Sequence, residues 1–173
     1  MPNWCSNRVN ISGADADVQA FKEAVKYSHG DGEKLFSFYA IVPFPDELTG
    51  IGSPVKIMTE DEIETYKEEH SNSEWCIGNL PITQERSDEL TEKYGANNWY
   101  DWCNDNWTSK WDACDVDLEV DESDYLCYKF DTPWGPPEEI YNTLRMQHPN
   151  VYISWFYDEP GMQFAGYLNK DEQ

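Results

Sequence analysis

Asp115-Val116-Asp117-Leu118-Glu119-Val120-Asp121 alternates acid with aliphatic residue over seven positions. A period of two places successive side chains on opposite sides of a strand, so the run reads as a half-buried β-strand with an acidic face. Tyr125–Thr132 alternates in the same way. Ala113–Val120 and Tyr125–Thr132 therefore read as a hairpin around a turn at Asp121–Asp124. Just upstream, Trp99, Trp102 and Cys103 recur at i, i+3 and i+4, the spacing of one helical face. Trp99, Trp102, Trp107, Trp111 and Trp134, five of the chain's eight tryptophans, fall between Asn98 and Pro137. Tryptophan is favoured at buried anchors and at binding sites, so this stretch is core, working surface or both.

Working outward, the C-terminal side continues with a helix that starts at Pro136-Pro137 and stops at Pro149, with Ile140 and Leu144 inward. Val151–Asp158 and Met162–Leu168 read as a second hairpin, Pro160-Gly161 fitting the centre of a type II turn. At the N-terminal side Asn7–Ser12 is a strand closed by Gly13. Asp15 then caps a helix running to about Tyr27 with Val18, Phe21 and Val25 on one face. Ser28-His29-Gly30-Asp31-Gly32 is a Gly-rich connection, and Leu35–Val42 reads as a second strand ended by Pro43 and Pro45. Between them and the tryptophans, Thr59-Glu60-Asp61-Glu62 is a capping box opening a helix, and a further helix runs from Thr83 to Tyr94 and stops at Gly95.

The order predicts an α+β fold: a ferredoxin-like antiparallel sheet with helices on one face and a large, mostly helical insertion. Residues 1–45 and 113–173 form the ferredoxin-like core of a single domain of 173 residues, and 46–112 the insertion.

Composition narrows the function. The formal net charge is −22, and the twelve Lys and Arg residues are scattered singly. Such a field opposes direct binding to nucleic acid and to anionic membranes, and favours basic partners, including proteins that themselves bind nucleic acid. The opening Met1–Ser6 lacks an apolar signal core and no later run reaches membrane-spanning length, so a cytoplasmic protein is expected. Cys5, Cys76, Cys103, Cys114 and Cys127 show no C-x-x-C pairing and read as reduced thiols, mostly small core residues. With His29, His70 and His148 at no ligand spacing, no metal or other cofactor is expected.

The opening Asn3-Trp4-Cys5-Ser6-Asn7-Arg8-Val9, the segment Asn98–Cys103 leading to Trp107 and Lys110-Trp111-Asp112-Ala113, Phe130-Asp131-Thr132-Pro133-Trp134-Gly135-Pro136-Pro137, and Tyr157-Asp158-Glu159-Pro160-Gly161-Met162 together carry a resemblance. The chain resembles the YubB-like family of phage and conjugative-plasmid proteins, a family of unknown function with a ferredoxin-like C-terminal part. Residues 46–95 match least. The resemblance implies a mobile-element accessory protein and brings no catalytic residues with it.

Two candidate sites stand out. The first is acidic. Asp115, Asp117, Glu119 and Asp121 share one strand face, which is a solvated surface or a ladder imitating phosphates. Alternate strand residues lie roughly 6.6 Å apart, against a phosphate every ~3.4 Å of axis on one DNA strand. A mimic therefore needs further acids, and Glu60, Asp61, Glu64, Glu68 and Glu69 on the capped helix supply them. The second site is aromatic. Trp99, Trp102, Trp107, Trp111 and Trp134 are core anchors or a pocket stacking a base, with Lys110, Lys129 or Arg145 on a phosphate. No P-loop, G-x-S-x-G or H-E-x-x-H occurs, so an enzyme is not expected.

Three functions follow. The favoured one is a stoichiometric counter-defence inhibitor, a DNA mimic occupying a basic, nucleic-acid-binding host protein. The alternatives are a binder or sponge for a nucleotide-type ligand, and a structural protein of the mobile element. The sequence leaves oligomeric state open.

Overall fold

The computed structural model describes residues 3–29, 32–70 and 79–168. The chain divides into two compact units, Met1–Pro43 with Asn106–Gln173, and Phe44–Asp105.

The first unit is built on a five-stranded antiparallel sheet in the order β4-β5-β1-β6-β7: β1 is Trp4–Ser12, β4 Cys114–Asp121, β5 Tyr125–Pro133, β6 Tyr152–Glu159 and β7 Phe164–Tyr167. Helix α1 (Asp15–Ala24) follows β1, and α6 (Glu138–Gln147) joins β5 to β6. The fold is α+β. β1-α1-β4-β5-α6-β6 is the ferredoxin-like succession, with β4 in the place of the second strand and β7 added beyond β6.

Alternation along β1 sorts the sheet into two faces. Cys5, Asn7, Val9 and Ile11 are fully buried, whereas Trp4, Ser6 and Arg8 are exposed. The inner face carries an aromatic core: Phe36 stacks on Phe130 at 4.9 Å, Trp155 meets Phe130 edge-on at 5.5 Å, and Tyr141 of α6 meets Trp155 at 6.0 Å. Val18 and Phe21 of α1, with Ile140 and Leu144 of α6, are buried as their spacing predicts. Asn7 satisfies the polar groups of this core. Its Nδ2 donates to Thr132 Oγ1 at 2.8 Å and to the Cys5 carbonyl at 3.0 Å, and its Oδ1 accepts from Trp155 Nε1 at 3.0 Å.

Several expectations change. Leu35–Val42 is not a strand: Phe38–Ile41 forms the short helix α2, capped by Ser37, whose side chain accepts from Tyr39 N. The physical reason is Asp112, whose carboxylate accepts Phe38 N at 2.6 Å, Ser37 Oγ at 2.9 Å and Lys34 Nζ at 2.7 Å, holding the backbone in a helix start despite its β-prone composition. The connection after α1 contains a small hairpin, β2 (Tyr27–His29) with β3 (Gly32–Lys34), while Gly30 and Asp31 lie outside the described residues. Ala14, not Asp15, is the N-cap of α1, and the helix ends at Ala24 rather than Tyr27. Gly161 is not at a left-handed position. Gln163 carries the positive φ, 60°, and β7 starts at Phe164. Gly161 marks a close approach instead, since a Cβ there would lie 2.6 Å from Asn3 Nδ2 and 2.8 Å from Glu159 Oε1, and those side chains would have to shift.

The second unit holds α3 (Glu60–Glu69) and α4 (Gln84–Tyr94), and α5 (Trp99–Trp107) begins in it. The Thr59–Glu62 capping box is formed in both directions, Thr83 caps α4, and Gly95 closes α4 at φ 76°. Glu47 gathers two of this unit's cations, bound by Lys93 Nζ at 2.6 Å and Arg86, with Tyr94 Oη donating at 2.8 Å, and these bonds pull its carboxyl down to about 2. Of the cysteines, Cys5, Cys114 and Cys127 are free thiols, Cys5, Cys103 and Cys127 are buried, and Cys76 lies outside the described residues. Among the described residues, no helix is long and apolar enough to cross a membrane.

Candidate binding surfaces

Strand register sets out the outer face of the sheet in rows. Trp4 opposes Pro133. In the next row Ser6 stands between Asp131 of β5 and Asp158 of β6. Arg8 then stands between Lys129 and Phe156, with Tyr167 beyond Phe156, and Asn10 between Cys127 and Ser154.

The acidic strand meets this face with two register shifts, between Cys114 and Asp117 and between Leu118 and Val120. Each inserts a residue into β4, and Asp115 sits in the first with φ 50°. The four acids therefore do not share one face. Asp117 pairs with Lys129 in register, and Glu119 bridges Arg8, at 3.4 Å, and Lys129 on the outer face. Asp121 comes into register with the buried Leu126 and is held by Lys22 of α1 at 2.6 Å. Lys129 first, with Arg8 behind it, holds the Glu119 carboxyl below its ordinary value. The ladder is thus broken by bulges and partly neutralised.

The acids of α3 are placed differently. Glu60, Glu64 and Glu68 follow one another at i+4, so they lie about 6 Å apart along the helix, with Asp61 beside the first. Glu62 is committed to the capping box. Among the described residues no ion pair engages Glu60, Asp61, Glu64 or Glu68.

The aromatic candidates fall into distinct environments. Trp102 is buried edge-on against Phe44 at 5.3 Å. Trp107 is buried against Phe38 and Tyr39, and its Nε1 donates to the Val42 carbonyl at 3.0 Å. Neither offers a ring face to a ligand. Trp99 is half-buried and meets Tyr100 edge-on at 5.6 Å. Arg145 is exposed on α6, its guanidinium 5.8 Å from the Tyr141 ring.

Trp111 and Trp134 remain at the surface, 38% and 48% exposed. Trp111 packs on Trp4, itself 41% exposed, with ring centroids 6.1 Å apart, and Lys110 Nζ lies 3.9 Å from the Trp111 centroid. Trp134, at φ 73°, leaves the end of β5 with its N–H donating to the Asn3 carbonyl at 2.8 Å. The segments Asn3–Val9, Phe130–Pro137 and Tyr157–Met162, far apart in sequence, thus meet at one end of the sheet. They are tied there by Asn7, by Thr132 Oγ1 donating to the Gly135 carbonyl at 2.7 Å, and by Glu159, which accepts Met162 N. Glu159 is fully buried, and its Oε1 has no hydrogen-bond partner among the described residues.

The residues overlooked by sequence reasoning are Trp4, Asp131 and Asp158, while Lys110, expected on a phosphate, lies over the Trp111 ring. Alternation along the first strand could have placed Trp4 beside Ser6 and Arg8, but bringing Asp131 and Asp158 to Ser6 requires the register. In the second unit a cleft of about 480 Å³ is lined by Thr91, Asn97, Tyr100, Asp101, Asn104 and Asp105. Gly95 and Ala96 complete its lining, which mixes polar and apolar surface and lacks the mainly apolar enclosure typical of small-molecule sites. Among the described residues no three His, Cys, Asp or Glu side chains are placed to hold a metal ion.

No family model matches the chain, and no curated protein matches it. The fold is similar to the crystal structure of protein api92 from Yersinia pseudotuberculosis, a DUF1281 protein, with a TM-score of 0.52 and 14% identity over 96% of this chain and 93% of that one. At that identity the likeness establishes the fold alone.

Proposed function

We propose that this chain is a non-enzymatic accessory protein of a phage or plasmid that works by stoichiometric binding, occupying the nucleic-acid-binding surface of a basic host protein in the cytoplasm. The observation that supports the reading is the set of carboxylates on α3, Glu60, Asp61, Glu64 and Glu68, that no ion pair engages among the described residues, in a chain of net charge −22. A surface kept for structural pairing carries its cations with it, as Glu47 and Glu119 do. The α3 stripe carries none among the described residues, so its charge is available to a basic partner that brings its own Lys and Arg.

The test is retention of host proteins on the immobilised chain, followed by elution with salt and with duplex DNA. A basic nucleic-acid-binding protein should be retained, should be released steeply between low and physiological salt, and should be displaced by DNA. Glu60→Gln/Glu64→Gln/Glu68→Gln should weaken retention. Retention indifferent to salt and to DNA would overturn the reading.

A further inference from the structure

We infer that the Trp4–Trp111 end of the outer sheet face, with Asp131 and Asp158 on either side of Ser6, is a docking surface for an arginine-bearing segment of a basic partner protein. The inference rests on the proposed function and names a surface and a chemistry for it.

Three observations converge there. The first is the exposed indole pair. Tryptophan at the surface is favoured where a partner will cover it, and two in mutual contact make a continuous apolar platform. The second is that this platform already carries a cation, since Lys110 Nζ lies 3.9 Å from the Trp111 ring centroid. The ring face is therefore compatible with positive charge in this environment.

The third is the state of the neighbouring acids. Asp131 and Asp158 both pair with Ser6, so across three strands they stand roughly 10 Å apart on the same face. Among the described residues no ion pair engages Asp131, Asp158 or Asp115, whereas one row further along β1 Glu119 holds both Arg8 and Lys129. Burial, and then the nearby Asp115, push the Asp131 carboxyl above its ordinary range, with Ser6 hydrogen bonding opposing them. Asp131 and Asp158 are thus left without a paired cation among the described residues, Lys110 being held over the Trp111 ring, and an incoming guanidinium meets both acids.

Arginine suits the combination better than lysine. Its planar guanidinium stacks on an indole and still donates in the plane to a carboxylate, while an ammonium does one or the other. Phosphate-bearing ligands are disfavoured by the same three acids. The arrangement is also independent of α3, so the two surfaces can be separated by mutation.

The experiment is titration of the full chain with a nonaarginine peptide and a nonalysine peptide, read by the tryptophan indole N–H resonances in two-dimensional NMR and by calorimetry. Nonaarginine should shift the indole signals of Trp4 and Trp111 and bind more tightly than nonalysine. Trp111→Ala should weaken nonaarginine about three- to tenfold, the range expected for loss of one partly desolvated cation–π contact. Asp131→Asn/Asp158→Asn should weaken it further, with both variants still folded by circular dichroism.

Peptide binding that leaves the Trp4 and Trp111 signals unmoved, and that is lost in Glu60→Gln/Glu64→Gln/Glu68→Gln, would overturn this surface while sparing the proposed function. Indole shifts produced by nucleotides in preference to the peptide would overturn it in favour of a nucleotide site. Absence of binding by either peptide would overturn it as well. Failure of the proposed function itself shows separately, in host retention indifferent to salt and DNA.

Discussion

On β1, Cys5, Asn7, Val9 and Ile11 turn toward the helices while Trp4, Ser6 and Arg8 turn away, and the two faces that result follow different rules. On the inner face most groups are matched, the buried Tyr128 hydroxyl being an exception with no hydrogen-bond partner among the described residues. The aromatic rings of Phe36, Phe130 and Trp155 pack on one another, and Asn7 supplies partners for Trp155 Nε1 and Thr132. On the outer face matching is local. The row at Arg8 is neutralised by Glu119 and Lys129, and the row at Ser6, two residues or roughly 6.6 Å away, holds acids with no cation among the described residues. The total charge of the chain is the same for both rows, so net charge alone does not identify a binding surface. What identifies it is which charges the fold leaves unpaired.

The comparison breaks most readily on the inner face. Trp155→Ala removes a fully buried indole that touches Phe36, Phe130 and Tyr141, and it orphans Asn7 Oδ1. Large-to-small changes of buried aromatics cost about 3–5 kcal/mol, so denaturant unfolding should show a loss of that size. A loss below about 1 kcal/mol would mean that the inner face is not the cooperative core and that the two faces do not differ as argued.

The paired row of the outer face should answer more weakly. Glu119→Gln leaves Arg8 and Lys129 facing each other without their shared carboxylate. Because the group is exposed, the melting temperature should fall by only about 1–3 °C. Raising the salt should shrink the difference, since screening weakens both the lost attraction and the new repulsion. A fall that persists in high salt would assign Glu119 a packing role instead.

Much of this architecture was readable from sequence wherever the signal is local. The β4–β5 hairpin, the Thr59–Glu62 box, Thr83 and Gly95 around α4, and the inward Ile140 and Leu144 each depend on residues within one turn or one strand. The second predicted strand failed because Asp112, far along the chain, decides the backbone at Ser37 and Phe38. The acids of β4 are all exposed and the aliphatics half-buried, as read, but the single shared acidic face failed for a subtler reason. A bulge leaves the written alternation of acid and aliphatic intact while turning the chain, so Asp121 reaches Lys22 of α1 and Glu119 reaches Arg8 on the other side. The grouping of Trp4, Trp111, Asp131 and Asp158 depends on sheet register and on the approach of the Lys110–Trp111 segment, which no single stretch of sequence encodes.

The smallest effect is the sharpest test, because the two rows should respond to pH with opposite sign. Glu119 titrates below its ordinary value in the folded chain, so its contribution is present at neutral pH and is lost as pH falls through that depressed value. Asp131 titrates above its ordinary value, so its charge opposes folding at neutral pH, and stability is regained as pH falls through the raised value. Asp131→Asn should therefore raise the melting temperature at pH 7 by about 2 °C or less, and the advantage over the parent chain should vanish as the pH drops below the ordinary carboxylate range. Glu119→Gln should show the reverse, a deficit at pH 7 that closes on acidification. Melting curves of the parent and both variants from pH 7 to pH 3 decide the matter. If Asp131→Asn is destabilising at pH 7, then its carboxylate is already satisfied in the folded chain, and the Ser6 row no longer stands out from the Arg8 row as the end of the sheet awaiting a cation.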